Sequence, residues 1–159
     1  MELKRVVVTG IGAVTPVGNT AEETWANLLA GKSGAAPITH FDTTNFKTQF
    51  ACEVKGLNVN DYIDRKEARK MDRYTQLAII AAKQAIEDLD AIDKQRVGVV
   101  YGVGIGGIKT FEDEVSYYSQ HQEAGPKFNP FFIPKMIADI ASGQISILYG
   151  FNGPNYTTT

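Results

Sequence analysis

Apolar positions along the chain alternate between a period of two and a period near 3.6, and each change of period marks an element boundary. Val6-Val7-Val8-Thr9 reads as a buried first strand, with Gly10-Ile11-Gly12 as the tight turn leaving it. Thr20 precedes Ala21-Glu22-Glu23, a capping box. The helix it starts carries Trp25, Leu28 and Leu29 on one side and stops at Gly31. A connector runs from Lys32 to Asp42, and Gln49 to Val54 alternates imperfectly, as a strand or hairpin arm does. The spacing predicts a helix over Asp61 to Met71. It predicts a stronger one over Tyr74 to Leu89, where Leu77, Ala78, Ala81, Ala82, Ala85, Ile86 and Leu89 form a stripe. Alanine dominates that stripe, so a neighbour can approach closely and the helix is expected to be central.

The second half repeats the alternation. Val97 to Tyr101 is a short uncharged β-branched run, the composition of a strand buried on both faces. Gly102-Val103-Gly104-Ile105-Gly106-Gly107 follows, and then Ile108, Phe111, Val115 and Tyr118 at helical spacing. An irregular segment begins at Gly125-Pro126 and holds Phe128 and Phe131-Phe132, framed by Pro130 and Pro134. From Lys135 to Leu148 the pattern predicts one helix, with Ser142 and Gly143 suited to a tight crossing. Gly150 to Pro154 breaks it, and Asn155 to Thr159 begins a strand. That last strand has no turn or polar tail after it, and the β-α units have no closing element. The expectation is part of a larger α/β protein.

Composition narrows the class. With 159 residues, 43% hydrophobic and 21% charged, the chain is long enough for one domain with a core. A net charge of −2 gives no overall attraction to nucleic acid or to an anionic membrane. No apolar run approaches the roughly 20 residues that a membrane helix needs, and the first residues lack the pattern of a signal peptide. Cys52 is the only cysteine, which excludes a disulfide framework and a thiolate metal cluster and makes a cytoplasmic setting the default.

Four features carry candidate chemistry. Gly102, Gly104 and Gly107 fit G-x-G-x-x-G, but no acidic residue closes a second strand about 20 residues on, so close packing is preferred to a dinucleotide site. Gly10 and Gly12 at the first strand lack the third glycine. Lys66, Arg69, Lys70 and Arg73 fall at i, i+3, i+4 and i+7 on the helix expected there, with Arg65 at the edge and Glu67 the single acid in the run. That face is either an ordinary solvated surface or a docking patch for an acidic partner. The phenylalanine-rich segment around Phe128 and Phe131-Phe132 either packs under its own core or lines an apolar pocket or subunit interface. Cys52 with His40 or His121 has no third group to complete a catalytic set, so no catalytic residue is assigned.

In combination and in order, several motifs resemble β-ketoacyl-(acyl carrier protein) synthases, most closely the elongating type II condensing enzyme of bacterial fatty acid synthesis. They are Val6-Val7-Val8-Thr9-Gly10-Ile11-Gly12 with Thr15-Pro16-Val17-Gly18, then His40-Phe41-Asp42, and Arg65 to Asp72. Gly102 to Gly107, Pro130-Phe131-Phe132-Ile133-Pro134 and Tyr149 to Pro154 complete the set.

The resemblance implies a thiolase-like α/β fold, with residues 1–159 as the N-terminal half of an α-β-α-β-α layered enzyme, incomplete at its C-terminus and part of a homodimer. It implies a decarboxylating Claisen condensation of an acyl-thioester with malonyl-carrier protein, run by a cysteine and two histidines. The family's nucleophile follows in a Thr-Ala-Cys context a few residues past Thr159, and neither His40, His121 nor Cys52 matches a catalytic position. The chain by itself is therefore expected to be inactive, or else to be a truncated homologue that binds carrier protein or a complete subunit. Lys66, Arg69 and Lys70 match positions that dock the acidic carrier; Ile105 matches the acyl-chain pocket; Phe132 and Ile133 fall in the segment that reaches the partner's pocket. No cofactor and no metal are implied, since the phosphopantetheine arm belongs to the carrier.

Overall fold

The capping box at Thr20 forms. In the computed structural model, which describes residues 4–86 and 92–159, Thr20 Oγ1 accepts from the Glu23 N–H at 3.1 Å and starts α1 (Ala21–Leu29). Glu23 reaches back one residue further than the motif requires, accepting from the Asn19 N–H at 2.7 Å. After Gly31, whose φ of +65° ends the helix turn, β1 (Ala35–Pro37) pairs antiparallel with β2 (Phe50–Cys52) and sets Ala36 opposite Ala51. The imperfect alternation around residue 50 is thus one arm of a small two-stranded sheet.

The chain groups into two units: Met1–Asn58 with Ala81–Leu89, and Val59–Ile80 with Asp90–Thr159. The start of the expected first strand's lead-in (Met1 to Leu3), the end of the alanine-rich helix at Leu89 and the return beginning at Asp90 lie outside the described residues. α3 (Arg73–Ile86) gives its first eight residues to the second unit and its last six to the first.

Within the first unit, Gly10 and Gly12 lie directly on the end of α3. A Cβ on Gly10 would sit 2.1 Å from the Ala85 carbonyl oxygen, and one on Gly12 1.9 Å from that of Ala81. Gln84 fastens the same segment, accepting from the Ala13 N–H at 3.0 Å and donating to the Asn19 carbonyl at 2.8 Å. The expected buried strand over Val6 to Thr9 is not found. That run pairs with no described strand, and Val6 is 90% exposed. A β-branched run becomes a buried strand only where a neighbour takes its backbone groups and a layer covers its side chains.

The second unit contains a β-α-β crossover. β3 (Val99–Gly102) runs parallel to β4 (Asn155–Thr158), with Val99 opposite Asn155 and Gly102 opposite Thr158. Between them come α4 (Ile108–Gln120), α5 (Phe132–Met136) and α6 (Ile140–Tyr149). The single helix expected from Lys135 to Leu148 is two, because Ile137 is extended (ψ 139°) and a new helix starts at Asp139. α6 packs on both strands. Its Ser142, fully buried, bonds Asn155 Oδ1 at 2.7 Å and Thr157 Oγ1 at 2.8 Å, and the Asn155 amide returns to the Ser142 carbonyl and Ser146 Oγ. This network fixes β4 on the helix, since a slip would strand buried polar atoms. β3 differs from its expectation: one face is covered by α6, but Val100 is 77% exposed on the other. No described helix is long and apolar enough to cross a membrane.

Candidate functional site

Every residue singled out for binding falls in the second unit, on three short segments. The first is the basic stretch. Asp64 caps α2 (Arg65–Ala68), its Oδ1 accepting from Lys66 N at 2.8 Å and more weakly from Glu67 N. The turn then tightens, with Lys70 N to Glu67 O and Met71 N to Ala68 O, and Asp72 starts α3 by accepting from the Tyr74 N–H at 3.2 Å. The continuous helix expected over Asp61 to Met71 is therefore one turn, and the single four-cation face does not exist. Lys66 lies on α2, Arg69 and Lys70 on the turn, and Arg73 on α3.

The cations are nevertheless exposed, and they are not equivalent. Lys70 Nζ is 2.7 Å from Glu67 Oε1 and 6.0 Å from the centre of the Phe131 ring, so its charge is largely answered inside the chain. Arg65, Lys66, Arg69, Arg73 and Lys135 make no ion pair among the described residues.

The second segment is the glycine loop between β3 and α4. A Cβ on Gly107 would lie 2.1 Å from the Lys135 carbonyl oxygen, and one on Gly106 2.7 Å from that of Met136. The Gly107 N–H donates to Met136 O at 3.0 Å. These two glycines exist for backbone contact with α5, whereas a Cβ on Gly104 would meet nothing. The first turn of α4, where a nucleotide phosphate would sit, already holds an anion of the chain's own. Asp72 Oδ2 accepts from Thr110 Oγ1 at 2.5 Å and from the Thr110 N–H at 3.3 Å. Asp72 is buried, and its carboxyl takes hydrogen bonds from the N-terminal turns of both α3 and α4. The loop serves packing and leaves no phosphate cradle.

Ile105, at the tip of this loop, is 70% exposed. The third segment, α5, lies against the loop through the Gly106 and Gly107 contacts. On it Phe132 is half-buried in an aromatic row, stacked on Phe111 at 6.3 Å and on Phe128 at 5.5 Å, and Phe128 continues to Tyr118 at 5.4 Å. Ile133 faces outward. Phe132 thus packs against α4, the first of the two readings of this segment, while Phe131 and Ile133 are exposed. Tyr74 ties the segment down, donating to the Ile137 carbonyl at 2.5 Å, and burial pushes its phenol above the usual tyrosine value.

No catalytic set is assembled. Cys52 is exposed on β2; His40 approaches Glu53 at 3.8 Å; His121 stacks on Tyr117 and contacts the Tyr117 carbonyl. Thr39 donates to Glu53 from both its hydroxyl and its N–H, which holds that carboxyl below its ordinary range. Among the described residues no cluster of His, Cys, Asp and Glu could hold a metal ion. The second unit presents exposed cations at Arg65, Lys66, Arg69 and Arg73 beside an apolar ridge. Half-buried Lys135 lies beside them and was not legible in the sequence, because only the fold of α5 brings it next to Arg65 and Arg69.

Comparison with known proteins gives this arrangement a context. Residues 3–159 match the family model described as beta-ketoacyl synthase, N-terminal domain. A 3-oxoacyl-[acyl-carrier-protein] synthase 2 of Staphylococcus aureus is 48% identical over 160 residues, and its Vibrio cholerae counterpart 47% over 163. The chain is covered to 98% in both and spans 38% of the length of each relative. Among solved structures, the ishigamide ketosynthase/chain length factor superposes with a TM-score of 0.83 at 29% identity, covering 96% of this chain and 39% of that one. A type II polyketide ketosynthase, in complex with its acyl-carrier protein and bound to the hexaketide, gives 0.70 at 28% identity, covering 99% of this chain and 41% of that one. The fold is α/β of the thiolase-like kind.

Proposed function

Because the chain belongs to the β-ketoacyl synthase family, we propose that it is the N-terminal part of an elongating β-ketoacyl-(acyl carrier protein) synthase. The observation that carries this reading is the match to 3-oxoacyl-[acyl-carrier-protein] synthase 2 relatives over 98% of the chain. In the proposed reaction an enzyme thiolate attacks the acyl-thioester and releases the carrier's thiol. Malonyl-carrier protein then loses carbon dioxide, and the resulting carbanion forms a carbon–carbon bond to the acyl carbonyl as the enzyme sulfur leaves. No residue of the described chain supplies the nucleophile or the histidines. Its part is binding. Lys66, Arg69 and Lys70 receive the acidic carrier, Ile105 flanks the acyl chain, and Phe132 and Ile133 extend toward a partner subunit in a cytoplasmic homodimer. Residues 1–159 form one N-terminal thiolase-like domain of that enzyme.

The test is condensation by the full-length protein supplied with acyl-carrier protein and malonyl-carrier protein, read as carbon dioxide release with 3-oxoacyl product. The isolated 159-residue chain should give neither. A full-length protein that binds acyl-carrier protein but never forms product would reduce the reading to a carrier-binding homologue.

A further inference from the structure

We infer that the cavity beside Thr75 is a binding site for a small uncharged amphiphile, a molecule with a benzene-sized apolar body and one hydroxyl end. The cavity has a volume of about 170 Å³ and lies wholly in the second unit, where the start of α3 meets α5 and α6. Met71, Phe131, Pro134 and Ile140 give it apolar walls, and Thr75 and half-buried Gln144 contribute polar groups.

Three observations choose the ligand. Thr75 has no exposure, and its hydroxyl finds no hydrogen-bond partner. A helical threonine often bonds the carbonyl three or four residues back, and Thr75 does not. The adjacent Tyr74 phenol donates to the Ile137 carbonyl. The Thr75 hydroxyl is therefore open both as donor and as acceptor, which another hydroxyl can match. A buried hydroxyl left open costs stability in the free protein, and an incoming hydroxyl recovers it.

The charged groups at the mouth answer each other. Exposed Glu67 and Lys70 both line the cavity, and Lys70 Nζ lies 2.7 Å from Glu67 Oε1. An entering ion would have to break that pair, whereas an uncharged molecule passes it. Size sets the body of the ligand, since an apolar cavity of about 150 Å³ accepts benzene. Water alone fits less well. Deep in the cavity it would meet Thr75 and Gln144, fewer than the roughly three bonds a buried water makes, and would wet the apolar walls.

Phenol is the probe, with toluene as the same body lacking the hydroxyl. Both are titrated into the full-length protein and followed through the methyl NMR signals of Met71 and Ile140. Phenol should shift both signals to saturation with a Kd on the order of 1 mM, with NOEs from its ring to both methyls. Phenol is better hydrated than toluene, so the ratio of the two affinities is the readout. That ratio should fall roughly two- to tenfold in Thr75→Val, the worth of one hydrogen bond, and hold in Thr75→Ser.

An unchanged ratio in Thr75→Val would mean that the cavity takes apolar molecules without reading the hydroxyl, and the inference would be wrong. An equal fall in Thr75→Val and Thr75→Ser would overturn it too, because the effect would then trace to packing. If neither probe gives an NOE to Met71 or Ile140 at millimolar concentration, the cavity is closed or filled by water alone and is no ligand site. That last result needs no variant, so it decides the matter even where Thr75→Val does not fold.

Discussion

In the second unit Ile80 and Ala141 are wholly buried, and Ile63, Ala78, Ile79, Ile145 and Phe151 close around them. In the first unit the described residues that reach burial are Gly18 and Gly34, while Val6, Val8, Ile11, Trp25 and Leu29 face outward. The first unit is held by backbone proximity and side-chain hydrogen bonds: Gly10 and Gly12 on α3, Gln84 to Ala13 and Asn19, and the paired β1 and β2. The second unit has those features and a core as well. Burial of apolar side chains stabilises a fold more than such hydrogen bonds do, so resistance to unfolding should concentrate where the candidate site is. The chain carries its own reporters of the difference, since its single tryptophan is Trp25 and all seven tyrosines lie in the second unit.

The largest expected effect comes from placing the same clash in each unit. Gly107→Ala sets a methyl 2.1 Å from the Lys135 carbonyl oxygen, between elements packed on a core. We expect a loss upwards of about 3 kcal/mol, or failure to fold, in urea unfolding followed by tyrosine signal. Gly12→Ala sets one 1.9 Å from the Ala81 carbonyl oxygen, but against a segment with no buried side chain to keep it in place. That segment can move away, so the cost should be smaller and confined to Trp25. Equal losses in both variants would mean that the first unit is as rigid as the second.

Truncation comes next. Ile80→Ala, at a position with no exposure, should cost about 3 kcal/mol through lost burial and the cavity left behind. Leu29→Ala, at 70% exposure, should change the stability of the 159-residue chain by no more than about 0.5 kcal/mol. A Leu29 variant as damaging as the Ile80 one would show that the first unit's apolar side chains are covered in solution, by self-association or otherwise. Sedimentation of the two variants would distinguish these cases.

Local signals of one or two turns were legible in the sequence. Thr20 with Glu23 forms a capping box, Gly31 ends its helix, the alanine stripe of α3 is buried on its Ala78 side, and the glycine loop joins a strand to a helix. What the pattern misjudged was what covers an element and where a regular period stops. Val6 to Thr9 and Val100 have the composition of buried strands, yet burial depends on a second layer that composition does not reveal. The basic stretch kept a helical period across Asp72, but Asp72 is itself a cap. Its carboxylate takes the Tyr74 N–H and begins a new helix, which removes the shared face. An aspartate ahead of a strongly periodic run was the available signal. Lys135 left no local signal, because it lies next to Arg65 and Arg69 only after α5 folds back beside α2.

The smallest effect bears on an unsatisfied buried hydroxyl in the better-packed unit. Thr75, on α3, has no exposure, and its hydroxyl meets no partner with hydrogen-bond geometry, although the Tyr74 phenol is near enough to feel it. It lines a pocket of about 170 Å³ with Met71, Phe131, Pro134, Ile140 and Gln144. A buried hydroxyl without a partner costs about 1–3 kcal/mol, and valine has nearly the same shape without the polar atom. If the pocket is dry, Thr75→Val should raise stability by about 1 kcal/mol, seen as a higher urea midpoint in the tyrosine signal with an unchanged slope. If water enters past Gln144 and satisfies the hydroxyl, the same substitution strands that water beside a methyl group, and the midpoint should fall. The sign of the shift therefore shows whether the second unit's core is closed by its own side chains alone. A fall would mean that the unit carrying the candidate site depends, as the first does, on something beyond its own apolar packing.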